Sequence, residues 1–144
     1  MNTEFTISCS KENLIHIRKF INNSLKSIRL RTTDLNLIVL AVDEVCANLI
    51  IHSNNCDHRK KLSINCEYTT PNGFLEIIIR DEGKLFEYTK YYEPQLDKII
   101  EDKRKGGIGL LLVRKIMDNI EYTSDKFYNV TKLTKKINPH SLAS

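Results

Sequence analysis

The stretch Leu35 to Ser53, LNLIVLAVDEVCANLIIHS, constrains this chain more than any other, because it is an almost unbroken apolar run with a carboxylate and an amide in its middle. Leu37, Ile38, Leu40, Ala41, Val42, Val45, Leu49 and Ile51 cover nearly the whole circumference of a helical projection, which predicts a helix buried by its neighbours. Glu44 and Asn48 stand four residues apart within it. Side chains at that spacing lie one above the other on a helix, so both point to one place. A carboxylate in such a helix is costly unless water, metal or ligand satisfies it. Two accounts stay open on this stretch: a ligand-facing pair, or Asp43 and Glu44 as the solvated edge of the helix with Asn48 a satisfied core amide.

At 144 residues and 41% hydrophobic composition, the chain has enough apolar surface for one well-cored domain and too little length for two. The formal net charge of +4 is spread among acids, so a dedicated nucleic-acid binder is not implied. Lys126, Lys132, Lys135 and Lys136 read as the solvated face of a strand. No apolar run looks long and uncharged enough to span a membrane, and Met1 to Ser10 lacks the basic start and apolar block of a secretory signal. The expected compartment is the cytoplasm. Cys9, Cys46, Cys56 and Cys66 form no CxxC pair, which predicts reduced structural thiols. A metal set can be drawn from His52, Cys56, His58 and Cys66, but the spacing fits no zinc pattern.

In chain order, Thr3 to Ser8 predicts a short strand with Phe5 and Ile7 on one side. Ser10 offers a helix cap, and Leu14, Ile17, Ile21, Leu25 and Ile28 predict an amphipathic helix ending near Leu30. Thr32, Thr33 or Asp34 caps the central helix, which runs out in Asn54, Asn55 and Asp57, all turn formers. Lys61 to Thr69 and Phe74 to Arg80 read as a hairpin turning at Pro71, Asn72 and Gly73. Lys84 to Lys105 carries no convincing core pattern and reads as a long loop, functional or mobile. A third helix follows over Leu110 to Met117, then a strand pair, Ile120 to Ser124 and Asn129 to Ile137, and a tail, Asn138 to Ser144, expected to fray. Strand, helix, helix, two strands, loop, helix, two strands predicts a two-layer α/β (α+β) sandwich. Its sheet is a mixed, mostly antiparallel one of about five strands, with three helices on one face.

Gly106, Gly107 and Gly109 open the third helix, where backbone amides and the helix dipole attract phosphate, with Lys103, Arg104 and Lys105 just upstream. The pattern is neither a Walker loop nor a dinucleotide fingerprint. Asp81 ends an apolar strand with Gly83 two residues on, so a carboxylate can accept a hydrogen bond at the bottom of a pocket while the glycine lets a flat ring approach. Each of these has a bland alternative, a flexible turn or a strand-end turn. Their combination with the Glu44 and Asn48 helix is less common.

Taken in series, AVDEVCANLIIHS resembles the N box, IIIRDEGKLF the first glycine box and KGGIGLLLVRKIMD the second glycine box of the GHKL (Bergerat-fold) ATPases. The set is most similar to the small anti-sigma factor serine/threonine kinases of bacteria. The resemblance implies one histidine kinase-like ATPase domain over residues 1–137, with an ATP lid over 84–105. It implies that Asn48 holds Mg²⁺ against the phosphates of ATP. Glu44 is then the general base toward a partner's serine hydroxyl. Asp81 takes the adenine amino group beside Gly83, and Lys105, Gly106, Gly107, Ile108, Gly109 and Leu110 surround the phosphates. His52 stands where the family often carries a histidine, with a core hydrogen bond as its expected role.

Two function classes follow from the resemblance. One is an ATP-dependent protein kinase that holds a sigma factor and phosphorylates a STAS-type antagonist, possible homodimerisation included, with no nucleic acid or membrane as partner. The other is a non-catalytic ATP- or ADP-binding docking module of the same fold. Glu44 favours the first. Leu85, where a second glycine usually stands, favours the second, and Tyr128 is a further departure, in the closing strand.

Overall fold

Alternation of apolar and polar residues, read off five segments, becomes one sheet in the computed structural model, which describes residues 1–83 and 107–143. The strands are β1 (Asn2–Ser8), β2 (Lys61–Thr69), β3 (Phe74–Asp81), β4 (Asn119–Ser124) and β5 (Asn129–Lys136), in the spatial order β1-β2-β3-β5-β4. Every neighbouring pair is antiparallel, so the sheet expected to be mixed is antiparallel throughout. Two tight hairpins, β2–β3 and β4–β5, account for two of the four pairings. The return of β5 rather than β4 alongside β3 makes the third antiparallel as well.

One face of the sheet is the core. Leu62, Ile64 and Cys66 of β2, Leu75, Ile77 and Ile79 of β3 and Leu133 of β5 are fully buried on it. The other face is polar and wet, with an exposed Lys132–Glu76 ion pair at 3.4 Å that contributes little to stability. Three helices cover the core face: α1 (Leu14–Leu25), α2 (Thr32–Asn48) and α3 (Gly107–Ile116). Helix α2 lies between the other two and packs on both. The rings of Phe5 and Phe20 stack at 5.1 Å and tie β1 to α1.

Several local expectations change. Helix α1 stops at Leu25 and passes through a 3₁₀ turn, Lys26–Ile28, into left-handed Arg29. Ser10 does not cap a helix, because its hydroxyl donates to the Glu12 carboxylate and a 3₁₀ turn precedes α1. Nor does a Thr or Asp side chain cap α2, whose N-cap is Arg31. Helix α2 is not buried all round, since Leu37 and Leu40 are 44% and 38% exposed. With its last turn, Thr32–Ser53 is long and apolar enough to cross a membrane by length and composition, contrary to the reading from sequence. Here it is a core helix, with Ile38, Ala41, Val42, Cys46 and Ile50 fully buried.

The tail is not frayed either. Through residue 143 it is bound to the turn before α2: Arg31 N–H donates to Ser141 O at 2.7 Å, and Ala143 N–H donates to Arg29 O at 2.8 Å. Leu142 also pairs with Leu30 across an isolated bridge and packs on the core. A half-buried leucine and two backbone donors outweigh the polar composition that suggested disorder.

Candidate functional site: a carboxylate at the strand end and a carboxylate under a helix start

The inward alternation of β3 runs Leu75, Ile77, Ile79 and then Asp81, so the strand's last core-facing position is a carboxylate with no solvent exposure. Its Oδ1 accepts three hydrogen bonds: from Gly83 N–H at 2.9 Å, from Asn54 Nδ2 at 3.2 Å and from Asn129 Nδ2 at 3.2 Å. Its Oδ2 is buried and has no partner among the described residues. Burial is the largest influence on this group and raises its pKa above the ordinary carboxylate value, with the three donors pulling the other way.

The pairing register brings further polar groups to the same spot. Asn129 of β5 lies opposite Asp81, and Thr131, opposite Ile79, follows on the same inward face with its Oγ1 buried and without a partner among the described residues. Asn54 arrives from the end of the central helix, where a π turn, Leu49–Ser53, replaces the last α turn. Both its backbone N–H and its Nδ2 donate to Leu49 O, at 2.9 and 2.7 Å, while its Oδ1 is buried with no partner among the described residues. A Cβ placed on Gly83 would lie 2.5 Å from Ser53 O and 2.8 Å from Asp81 Oδ1, so only glycine lets the strand end close onto this turn. Buried polar atoms are almost always paired, and an orphan costs about 1–3 kcal/mol. Orphans on Asp81, Asn54 and Thr131 are therefore what a site completed by a polar ligand or water leaves behind.

A second centre lies on α2. Asp43 is engaged with Arg18 of α1 at 2.8 Å, whereas no hydrogen bond or ion pair joins Glu44 to a described residue. Glu44 is half-buried, and the first turn of α3 closes over it so tightly that a Cβ on Gly109 would collide with its Oε2. Asn48, one turn further along α2, has a buried Nδ2 with no partner among the described residues. Gly107, Ile108, Gly109 and Leu110 form the first turn of α3, where backbone N–H groups have no intrahelical acceptor and the helix dipole favours an anion. Lys105, Gly106 and the lid over 84–105 lie outside the described residues. Among the described residues no three His, Cys, Asp or Glu side chains form a metal cage. Mg²⁺ keeps several waters and binds through few protein oxygens beside phosphates, so a site for it does not require such a cage.

Other candidates drop away. His52 is exposed rather than hydrogen-bonded in the core, and the set His52, Cys56, His58 and Cys66 does not assemble. The cysteines are free thiols. Burial pushes Cys9 up to about 11 and Cys66 to about 12, and holds Cys46 well above the ordinary thiol value, which keeps all three unreactive.

Sequence reasoning missed Asn54, Asn129 and Thr131. Period-two counting back from Leu133 places Thr131 and Asn129 on the core face and would have found two of them. Nothing local marks Asn54, which reads as one turn former among several.

Residues 7–135 match the histidine kinase-like ATPase domain family. The serine-protein kinase RsbW of Halalkalibacterium halodurans is 27% identical over 126 residues, covering 85% of this chain and 75% of that protein. The serine/threonine-protein kinase BtrW of Bordetella bronchiseptica is 28% identical over 115 residues, 80% of this chain and 77% of the relative. RsbW of Staphylococcus aureus is 24% identical over 139 residues, 92% of this chain and 87% of the relative. The solved structure of the RsbU and RsbW domains of Rv1364c from Mycobacterium tuberculosis has the same fold, with a TM-score of 0.68 at 14% identity. It covers 100% of this chain, which spans 35% of that longer one.

Proposed function

We propose, of a chain that belongs to the histidine kinase-like ATPase domain family, that it is an ATP-dependent protein-serine/threonine kinase of the cytoplasm that acts as an anti-sigma factor and phosphorylates a STAS-type antagonist. The observation that carries this reading is Glu44, a half-buried carboxylate on α2 that is unpaired among the described residues and lies under the glycine-bearing start of α3. A module that only docks partners has no use for such a group. Its neighbour Asp43, by contrast, is taken up by Arg18.

In this reading Asp81 Oδ2 accepts from the exocyclic amino group of adenine, and the backbone amides of Gly107 to Leu110 face the phosphates. Asn48 would hold Mg²⁺, and the ion when bound would supply charge neutralisation of the phosphates. Glu44 accepts the proton of the partner's serine hydroxyl as that oxygen bonds to the γ-phosphorus. The bond from the γ-phosphorus to the bridging oxygen breaks, and ADP carries that oxygen away. The relatives named as serine-protein kinases support the reaction class.

Glu44→Gln keeps shape and removes the base. Phosphoryl transfer from radiolabelled Mg-ATP to a purified STAS-type protein should fall at least about a hundredfold, while Mg-ATP binding by calorimetry stays within about twofold. Equal transfer by wild type and the variant would sink the assignment. The docking-module alternative, favoured by Leu85 in the first glycine box, predicts nucleotide binding with no transfer by either protein.

A further inference from the structure

Asn54 lies outside all three boxes, yet its side chain physically joins the first to the second. Its side chain has no solvent exposure. The orientation of its amide is decided by chemistry: Nδ2 faces two acceptors, Leu49 O at 2.7 Å and Asp81 Oδ1 at 3.2 Å, and reversing it would set an oxygen against both. One amide thus connects the end of the helix carrying Glu44 and Asn48 to the carboxylate at the end of β3. With Gly83 N–H and Asn129 it saturates Asp81 Oδ1, which leaves Oδ2 as the carboxylate's open acceptor.

Resting on the kinase reading above, we infer that Asn54 is a positioning residue for base recognition: it holds the Asp81 carboxylate so that Oδ2 meets a purine 6-amino group. Without the Nδ2 donor the carboxylate keeps two of its three donors, Gly83 N–H and Asn129 Nδ2, and its orientation is held less firmly. The bond from a donor to a charged acceptor is worth more than one between neutral groups, so its loss is readable in binding. Leu49 O keeps its backbone donor, Asn54 N–H at 2.9 Å, so removing the side chain does not orphan that carbonyl.

The test compares Mg-ATP with the magnesium complex of purine riboside triphosphate, which lacks only the 6-amino group. The affinity ratio reads that group's contribution and is blind to general loss of stability. Wild type should prefer Mg-ATP by more than about tenfold, and Asn54→Leu should lose about fivefold of that preference. The affinity for purine riboside triphosphate itself should stay within about twofold. If the leucine is not accommodated, shown by loss of a cooperative thermal transition, Asn54→Ala carries the same comparison. A ratio within twofold of wild type in the folded variant overturns the positioning role and leaves the kinase reading standing. Failure of wild type to bind either nucleotide overturns the kinase reading, and this inference with it.

Discussion

At the scale of the residue, Asp81 is held in two opposed ways. Burial disfavours its charge, and three donors on Oδ1 favour it, with burial the larger influence. The folded-state pKa therefore lies above the unfolded value of about 3.9, so the folded state binds the proton more tightly. In the free protein this group's contribution to stability is fully present below that unfolded value. It is lost as pH rises through the raised folded value. Nucleotide binding should run the other way, because only the ionised carboxylate accepts from a 6-amino group, so Mg-ATP affinity should fall as pH drops through the raised value. Asp81→Asn keeps an acceptor for the three donors but turns an N–H toward the pocket. We expect a nucleotide-free midpoint no lower than that of wild type and at least about a tenfold loss of Mg-ATP affinity, read by thermal unfolding with and without nucleotide. A variant that loses stability and keeps affinity would show that Asp81 is a structural carboxylate.

At the scale of the element, two helices and one strand end meet through glycines, and the two close contacts differ in what they press against. On Gly83 a Cβ meets the Ser53 backbone carbonyl, which is held in the π turn and has little room to move. On Gly109 it meets the far end of the Glu44 side chain, which can swing. Gly83→Ala should therefore cost about 1–3 kcal/mol of stability, the range for overpacking, measured by urea unfolding. Gly109→Ala should cost less stability and more activity, because relief of the clash moves Glu44 itself. A Gly109→Ala protein with full phosphoryl transfer would separate Glu44 from the chemistry.

At the scale of the whole molecule, the chain closes on itself at the foot of α2. The tail donates Ala143 N–H to Arg29 O, Arg31 donates to Ser141 O, and Leu142 packs against the core beside Leu30. Each backbone bond contributes about 1 kcal/mol net, and the half-buried leucine a similar amount. Freeing the tail residues recovers part of this as chain entropy. Removal of residues 138–144 should thus destabilise the protein by about 1–2 kcal/mol, a few degrees in midpoint for a chain of this length. An unchanged midpoint would return the tail to the frayed state its composition suggests.

The number of strands, the three helices on one face and the candidate residues Glu44, Asn48, Asp81, Gly83 and Gly109 were all legible in the amino-acid order. Each announces itself within one element: period two in the strands, an i to i+4 pair in a helix, glycine at a strand end or a helix start. Tertiary structure alone decided which polar groups surround Asp81. Asn54 and Asn129 are separated from it by 27 and 48 residues, and they reach it only because a π turn and a strand register deliver them. It decided likewise that Asp43 is paired with Arg18 while Glu44 has no partner among the described residues, and that the tail is bound. The reason is the range of the forces involved. Local periodicity records which face of an element is apolar, whereas hydrogen-bond partners depend on positions within a few ångströms that only the packed layers set.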